Sequence, residues 1–370
     1  VSSPLVDLPP MPPLPAELVV ASEAAHDRLA EELARVTTLA RTVFVAVQRR
    51  RLIEALAAVD PVFPECEPPI VPPRRRFLSP VDRRRLEGVR VALDHVDSRL
   101  TMVRMGSLAH VVAPETPMVL NAMVEVPDVG EPVTNAGSLR AGGSRFDPTE
   151  SDYLPPPPDR CRELLLGAVD LATTAPAPAI TRAGWLVAVM FAVHPFVDGN
   201  GRTARMLFQA VHSEGVPGGF DWTTATEWSA RRRAYVAAAK ASQAPSLPSY
   251  DPVRLAPIHL MTYIAECSVT SARRGLHRLR AIAGLVDGLV GSGSREEVAL
   301  AEAFVTTERN VHLDELGELG LDQPTAAAAV EALVAAHRLE WTSRGRLRLV
   351  GANPFARPAV VVAGARGSSR

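Results

Sequence analysis

His194-Pro195-Phe196-Val197-Asp198-Gly199-Asn200-Gly201-Arg202-Thr203-Ala204-Arg205 decides how the rest of the chain is read. Ahead of it, residues 183–193 are almost wholly apolar, which predicts a helix buried on most sides and central to the core. Pro195 disfavours helical geometry at His194, so that helix is expected to stop there and leave the imidazole at the mouth of a turn. Gly199 and Gly201 let the backbone turn sharply. Their N–H groups can converge into an anion-binding nest where a second helix, about 202–213, begins.

The remaining side chains read as a nucleotide site. Arg202 and Arg205 lie three apart at the start of the second helix, a spacing that lets both face one polyphosphate. Asp198 carries the opposite sign, and a carboxylate beside a phosphate nest is repulsive unless a cation sits between them. Mg²⁺ accepts one or two carboxylates together with phosphate oxygens, so Asp198 is the expected metal ligand. Asn200 offers an amide donor to a phosphate oxygen, Phe196 is expected to pack inward, and His194 remains as the proton acceptor for an attacking hydroxyl.

This stretch resembles the Fic family signature, His-x-Phe-x-Asp/Glu-Gly-Asn-Gly-Arg-x-x-Arg, at every constrained position. The resemblance implies protein AMPylation: transfer of AMP from ATP to a Ser, Thr or Tyr hydroxyl of a target protein, with release of pyrophosphate. By that resemblance His194 is the general base, Asp198 the Mg²⁺ ligand, and Gly199, Asn200 and Gly201 the cradle of the α- and β-phosphates. Arg202 and Arg205 hold the outer phosphates. The Doc-like branch, which phosphorylates instead, departs from the signature in its glycine and arginine part, so the intact loop favours nucleotidyl transfer over a phosphotransferase. A second alternative is a regulator whose core only senses nucleotide, but an intact His194 has no obvious use there.

Composition sets outer bounds. A chain of 370 residues, 47% hydrophobic and with net charge −1, is large enough for two or three domains and is not a protein that binds nucleic acid through overall charge. No apolar run reaches the length of a membrane span and the start lacks a basic leader, so a soluble cytoplasmic protein is expected, without a membrane partner. Cys66, Cys161 and Cys267 fit neither a zinc cluster nor a disulfide framework. His212 and His259 lack ligand spacing and read as structural. Arginine supplies nearly all the positive charge, so runs such as 74–76, 83–85 and 231–233 read as solvated faces.

The expected fold class is mainly α: a Fic-type helical core with a small β-hairpin flap, followed by a C-terminal winged-helix domain. The expected domains are a helical region at 1–106, the catalytic core at 107–290, and the winged-helix-like domain and tail at 291–370. A proline-rich lead at 8–15 is expected to run extended over the surface, before helices at 16–36, 37–59 and 80–100. Such an N-terminal region resembles the Fic subclass with an inhibitory motif, Ser/Thr-x-x-x-Glu-Gly/Asn, ahead of the core. Thr101 and Gly106 match it, while Met105 stands where the glutamate belongs, which would remove a brake on Arg205. An ordinary helix end capped by Gly106 is the other reading.

Residues 126–153 are rich in Gly, Ser and Asp and read as a long functional loop. By resemblance, 137–146 with Tyr153 and prolines 155–158 form the flap that aligns an unknown target protein as an added strand. Helices are expected at 159–172, 226–242 and within 252–289, with Tyr235 either stacking on adenine or buried in the core. After the flexible joint at 291–294 come three helices, 295–304, 312–319 and 325–337, and a hairpin at 339–350. The third helix has no Arg or Lys to contact DNA. The domain therefore reads as a docking or homodimer-forming element, and DNA is an unlikely partner.

Overall fold

The computed structural model describes residues 7–58, 80–125, 136–141, 153–216, 221, 223–289, 323–335, 339–343 and 345–349. Among them the order is α1 (Ala16–Arg35), α2 (Thr38–Ala58), α3 (Pro80–Arg104), α4 (Thr116–Val124), α5 (Pro158–Thr174), α6 (Ala179–Val193), α7 (Asn200–Gly215), α8 (Thr224–Ala230), α9 (Arg232–Gln243), α10 (Ile258–Leu289), α11 (Gln323–Ala335), β1 (Leu339–Trp341) and β2 (Leu347–Leu349). None of the described helices is long and apolar enough to cross a membrane.

Helix α6 is apolar on every face and is accordingly buried on every face: Trp185, Leu186, Val187, Val189 and Met190 are all core residues. It packs between α5 and α7, and α7 in turn packs on α3 and α4. Near its start, Arg182 donates to the carbonyls of Ala172, Thr173 and Ala177. A guanidinium thus satisfies carbonyls at the end of α5 that have no partner within the helix.

The lead does not merely lie over the surface. Leu14 is buried, Leu8 and Met11 pack against the core, and the buried Trp185 indole donates to the carbonyls of Pro9 and Pro10, each at 3.2 Å. Proline-rich chain suits this role because it leaves backbone oxygens without internal partners.

Helix α3 runs past the expected end at 100. Gly106 takes a left-handed conformation, φ 73°, with its N–H donating to Val103 O and the Ser107 N–H to Met102 O. That pair of bonds is a Schellman cap, a geometry a Cβ would strain. The single helix expected over 226–242 is instead α8 and α9, broken at Arg231, whose backbone leaves helical geometry. Cys161 and Cys267 are free and buried, and Cys66 lies outside the described residues.

The chain divides into two compact units, Val1–Ala34 with Gln48–Leu276, and Arg35–Val47 with His277–Arg370. The expected boundaries at 106 and 290 do not coincide with this division, because the first residues share a core with the central helices. Within the second unit, α11 packs on β1, and β1 pairs antiparallel with β2 in the register Leu339↔Leu349, Glu340↔Arg348 and Trp341↔Leu347. Val330, Leu333, Leu339 and Leu347 are buried. The described helix and hairpin fall where the sequence reading placed a third helix and a hairpin; the helices expected at 295–304 and 312–319 lie outside the described residues.

Candidate functional site

His194 ends α6. Its amide still donates to Met190 O, but the residue itself is left-handed, φ 45° and ψ 58°, a conformation that costs a non-glycine residue about 1–3 kcal/mol. Arg140 holds it there. The buried guanidinium donates from Nε to His194 O at 2.6 Å and from Nη2 to Val193 O, Pro156 O and Cys161 Sγ, while the Arg140 amide donates to Pro195 O. One side chain thereby caps α6 and fixes the backbone that carries the imidazole. Burial, reinforced by the Arg140 charge, lowers the His194 pKa to about 4, so the ring is neutral and proton-accepting at physiological pH.

Between the helices, Gly199 is left-handed, φ 76°, and leads directly into α7. Thr203 provides the first helical bond, its N–H and Oγ1 both donating to Gly199 O. The amides of the preceding first turn have no partner within the helix, which is the arrangement that favours an anion. Asp198 stands beside it with its side chain 60% exposed, one oxygen accepting from Gly199 N–H and the other from Arg202 Nη2 at 3.0 Å.

Three signature side chains are placed otherwise than the sequence suggested. Asn200 commits both ends of its amide to Phe196, accepting from its N–H and donating to its carbonyl, so it staples the loop rather than offering a donor to phosphate. Arg202 and Arg205 are both buried and do not converge on one open face. Arg202 donates to Val124 O at the end of α4, and Arg205 donates from Nε and Nη2 to Leu56 O near the end of α2. Helix-end carbonyls carry partial negative charge and draw a guanidinium when no anion is present.

Phe196 is fully buried, as expected. Tyr235 is a core residue at 2% exposure, its ring stacked on Trp228 at 5.4 Å. The adenine-stacking reading fails on that burial. Met105 is 74% exposed at the α3 cap and Arg205 is 0% exposed, so Thr101, Met105 and Gly106 form a helix end and not a brake on Arg205. Among the described residues, Arg205 meets the last turn of α2 through Leu56 O.

Of the expected flap, 137–141 is described, and Leu139 bridges Phe196 in antiparallel fashion; residues 142–146 lie outside the described residues. Tyr153 is buried and donates to Ala192 O, and Pro158 opens α5. These are scaffold, because a phenol packed on α6 is not free to meet a target strand.

The sequence reading missed three residues beside the loop. Asn121, fully buried on α4, donates to Asp198 O and Thr203 Oγ1 and accepts from Gly137 N–H, tying loop, helix and flap root together. Arg140 was noticed only as part of the flap. Glu125 has its pKa raised by burial and by the nearby Asp198 charge, and among the described residues its buried Oε2 has no hydrogen-bond partner. Two carboxylates near enough for one to raise the other's pKa, one of them with a buried oxygen unanswered among the described residues, suit a divalent cation, so the residues present fit Mg²⁺. Only a carboxylate following α4 in the right register signals Glu125 in the sequence, and that is too weak to find it.

These helices pack around a turn that reads His-x-Phe-x-Asp-Gly-Asn-Gly-Arg-x-x-Arg. Residues 120–211, which span α4 through most of α7, match the model of the Fic/DOC family. The fold is similar to that of a Fic family protein from Desulfovibrio desulfuricans, with TM-score 0.50 and 16% identity over 90% of this chain and 96% of that one. It is also similar to a Fic domain containing signaling protein from Bacteroides thetaiotaomicron, with TM-score 0.50 and 14% identity over 71% of this chain and 98% of that one. At these identities the likeness is one of fold. No curated protein matches the sequence.

Proposed function

We propose that this chain transfers AMP from ATP to a hydroxyl group of a target protein. The observation that carries the reading is the α6–α7 turn, where a neutral imidazole, an exposed carboxylate and the first amides of a helix start occupy one loop. The match of 120–211 to the Fic/DOC family supports it, since that family generally transfers nucleotidyl or phosphate groups.

In this reading the target hydroxyl attacks the α-phosphorus of ATP, its proton passes to His194, and the bond from the α-phosphorus to the bridging oxygen breaks to release pyrophosphate. The first amides of α7 hold the phosphate chain. Mg²⁺, held by Asp198 with Glu125 nearby, would neutralise phosphate charge. Arg202 and Arg205 reach the outer phosphates by exchanging the carbonyls of Val124 and Leu56 for anionic oxygens, which bind a guanidinium more strongly. Arg140 keeps the left-handed backbone of His194 in register with the incoming hydroxyl. The target strand would lie along 137–146, and the helix and hairpin of the second unit would serve as a docking element for that protein or for a second copy.

The test is ATP labelled at the α-phosphate, incubated with Mg²⁺ and candidate proteins. Label should appear on protein with the intact chain and fall by roughly 10²–10⁴-fold with His194→Ala while nucleotide still binds. Label from the γ-phosphate alone would make the chain a Doc-like phosphotransferase. No transfer from either position, with nucleotide bound, would sink the proposal.

A further inference from the structure

A second cluster of ionisable side chains lies at the far end of α7, about 18 Å along the helix from the loop. His26 of α1, His212 in the last turn of α7 and Asp221, ahead of α8, are all buried, and one ligand atom from each lies within 4.8 Å of the others.

The hydrogen bonds fix how these groups face one another. His26 Nδ1 is 2.9 Å from Ser22 O, and a carbonyl only accepts, so Nδ1 carries the hydrogen. In the neutral ring Nε2 is then a lone pair. It has no hydrogen-bond partner among the described residues and lies 3.6 Å from Asp221 Oδ1, too far for a hydrogen bond. A lone pair and a carboxylate oxygen aimed at each other in a buried site repel unless something positive sits between them.

The carboxylate is held in place. Asp221 Oδ1 accepts from Thr223 N–H, Thr223 Oγ1 and Thr224 N–H, which fixes its plane. Oδ2 lies 3.1 Å from His212 Nδ1. Metal–ligand bonds near 2.0–2.1 Å in tetrahedral geometry put ligand atoms about 3.3 Å apart, between the two nitrogen–oxygen separations found here. A carbonyl on the far nitrogen of His26 is also the usual outer support of a metal-ligating imidazole.

We propose that His26 Nε2, His212 Nδ1 and Asp221 bind one divalent transition metal, zinc by chemical preference. Two imidazoles and one carboxylate suit Zn²⁺ or Co²⁺ and are poor ligands for Mg²⁺ or Ca²⁺, which take oxygen. Three protein ligands leave one position of a four-coordinate ion to water. The ion clamps α1 to the end of α7 and is separate from the Mg²⁺ expected at Asp198. The rival occupant is a single buried proton shared by the histidines and Asp221.

The full chain, stripped with chelator and dialysed, is titrated with Co²⁺ and then Zn²⁺. One equivalent of Co²⁺ should give the visible bands of a four-coordinate ion, Zn²⁺ should displace it, and Zn²⁺ should raise the melting temperature. His26→Gln, which keeps size and polarity and whose folding is checked by circular dichroism, should weaken binding by about 100-fold or more and abolish the thermal shift. His212→Gln should behave likewise if it folds. Absence of one-equivalent binding by the intact chain, or equal binding by folded His26→Gln, overturns the proposal in favour of the proton or of another site.

Discussion

A histidine and an aspartate lie near each end of helix α7, and the two ends behave differently. At its start, Asp198 is mostly exposed and paired with Arg202, and the His194 imidazole stands at the turn between α6 and α7. At its end, Asp221 and His212 are sealed in the core with His26, and the amide and both carboxylate oxygens of Asp221 have built partners. Residue type is shared; solvent access is not. An open carboxylate can exchange partners with a substrate at little cost, whereas a sealed one is fixed into the fold.

Aspartate replacement is the sharpest way to break that contrast. Asp221→Ala should lower stability by about 3–5 kcal/mol, because the buried His212 imidazole and three donors of Thr223 and Thr224 lose their partner. Asp198→Ala should cost about 1 kcal/mol or less while label transfer drops by roughly 10²-fold or more. Urea unfolding of the two variants checks both, and equal losses of stability would erase the distinction between the ends.

Arg140 comes next, since it supports the open end without touching substrate. Arg140→Ala should lower kcat by about 10²-fold through misplacement of His194, with KM for ATP little changed, and Arg140→Lys should recover only part. A change confined to KM would mean that it holds nucleotide instead.

The pH dependence is smaller but specific. With the His194 pKa lowered to about 4 by burial and by Arg140, the acid limb of kcat/KM should fall near pH 4 and leave the rate flat from pH 5 to 7. The unfolded chain binds the extra proton between pH 4 and about 6.5, so this residue makes stability rise with pH across that window and adds nothing further above it. An acid limb near 6.5 would show an imidazole in ordinary solvent. Met105→Glu should change automodification by less than about twofold, because its side chain projects into solvent from the α3 cap; a large fall would restore the inhibitory reading.

What the sequence disclosed and withheld follows from range. The stop of α6 at His194, the turn at Gly199 and the burial of Phe196 depend on neighbours within a few positions, and all were legible. The cap at Gly106 was legible too, as one of two readings. The carbonyls that Arg205 and Arg202 meet, those of Leu56 and Val124, were not legible because they lie 149 and 78 residues away. Arg140 and Asn121 act through backbone atoms of distant segments, and a carbonyl has no residue type to read. The burial of Tyr235 depends on Trp228 and the helices around it, which no local pattern separates from an open aromatic.

The docking of the lead against α6 gives the molecule a built-in reporter. A chain beginning at Ala16 would leave the Trp185 indole N–H without the Pro9 and Pro10 oxygens, at a cost of roughly 1–3 kcal/mol. Its fluorescence would register the loss, so emission from a single-tryptophan variant could follow attachment and release of those first residues in real time.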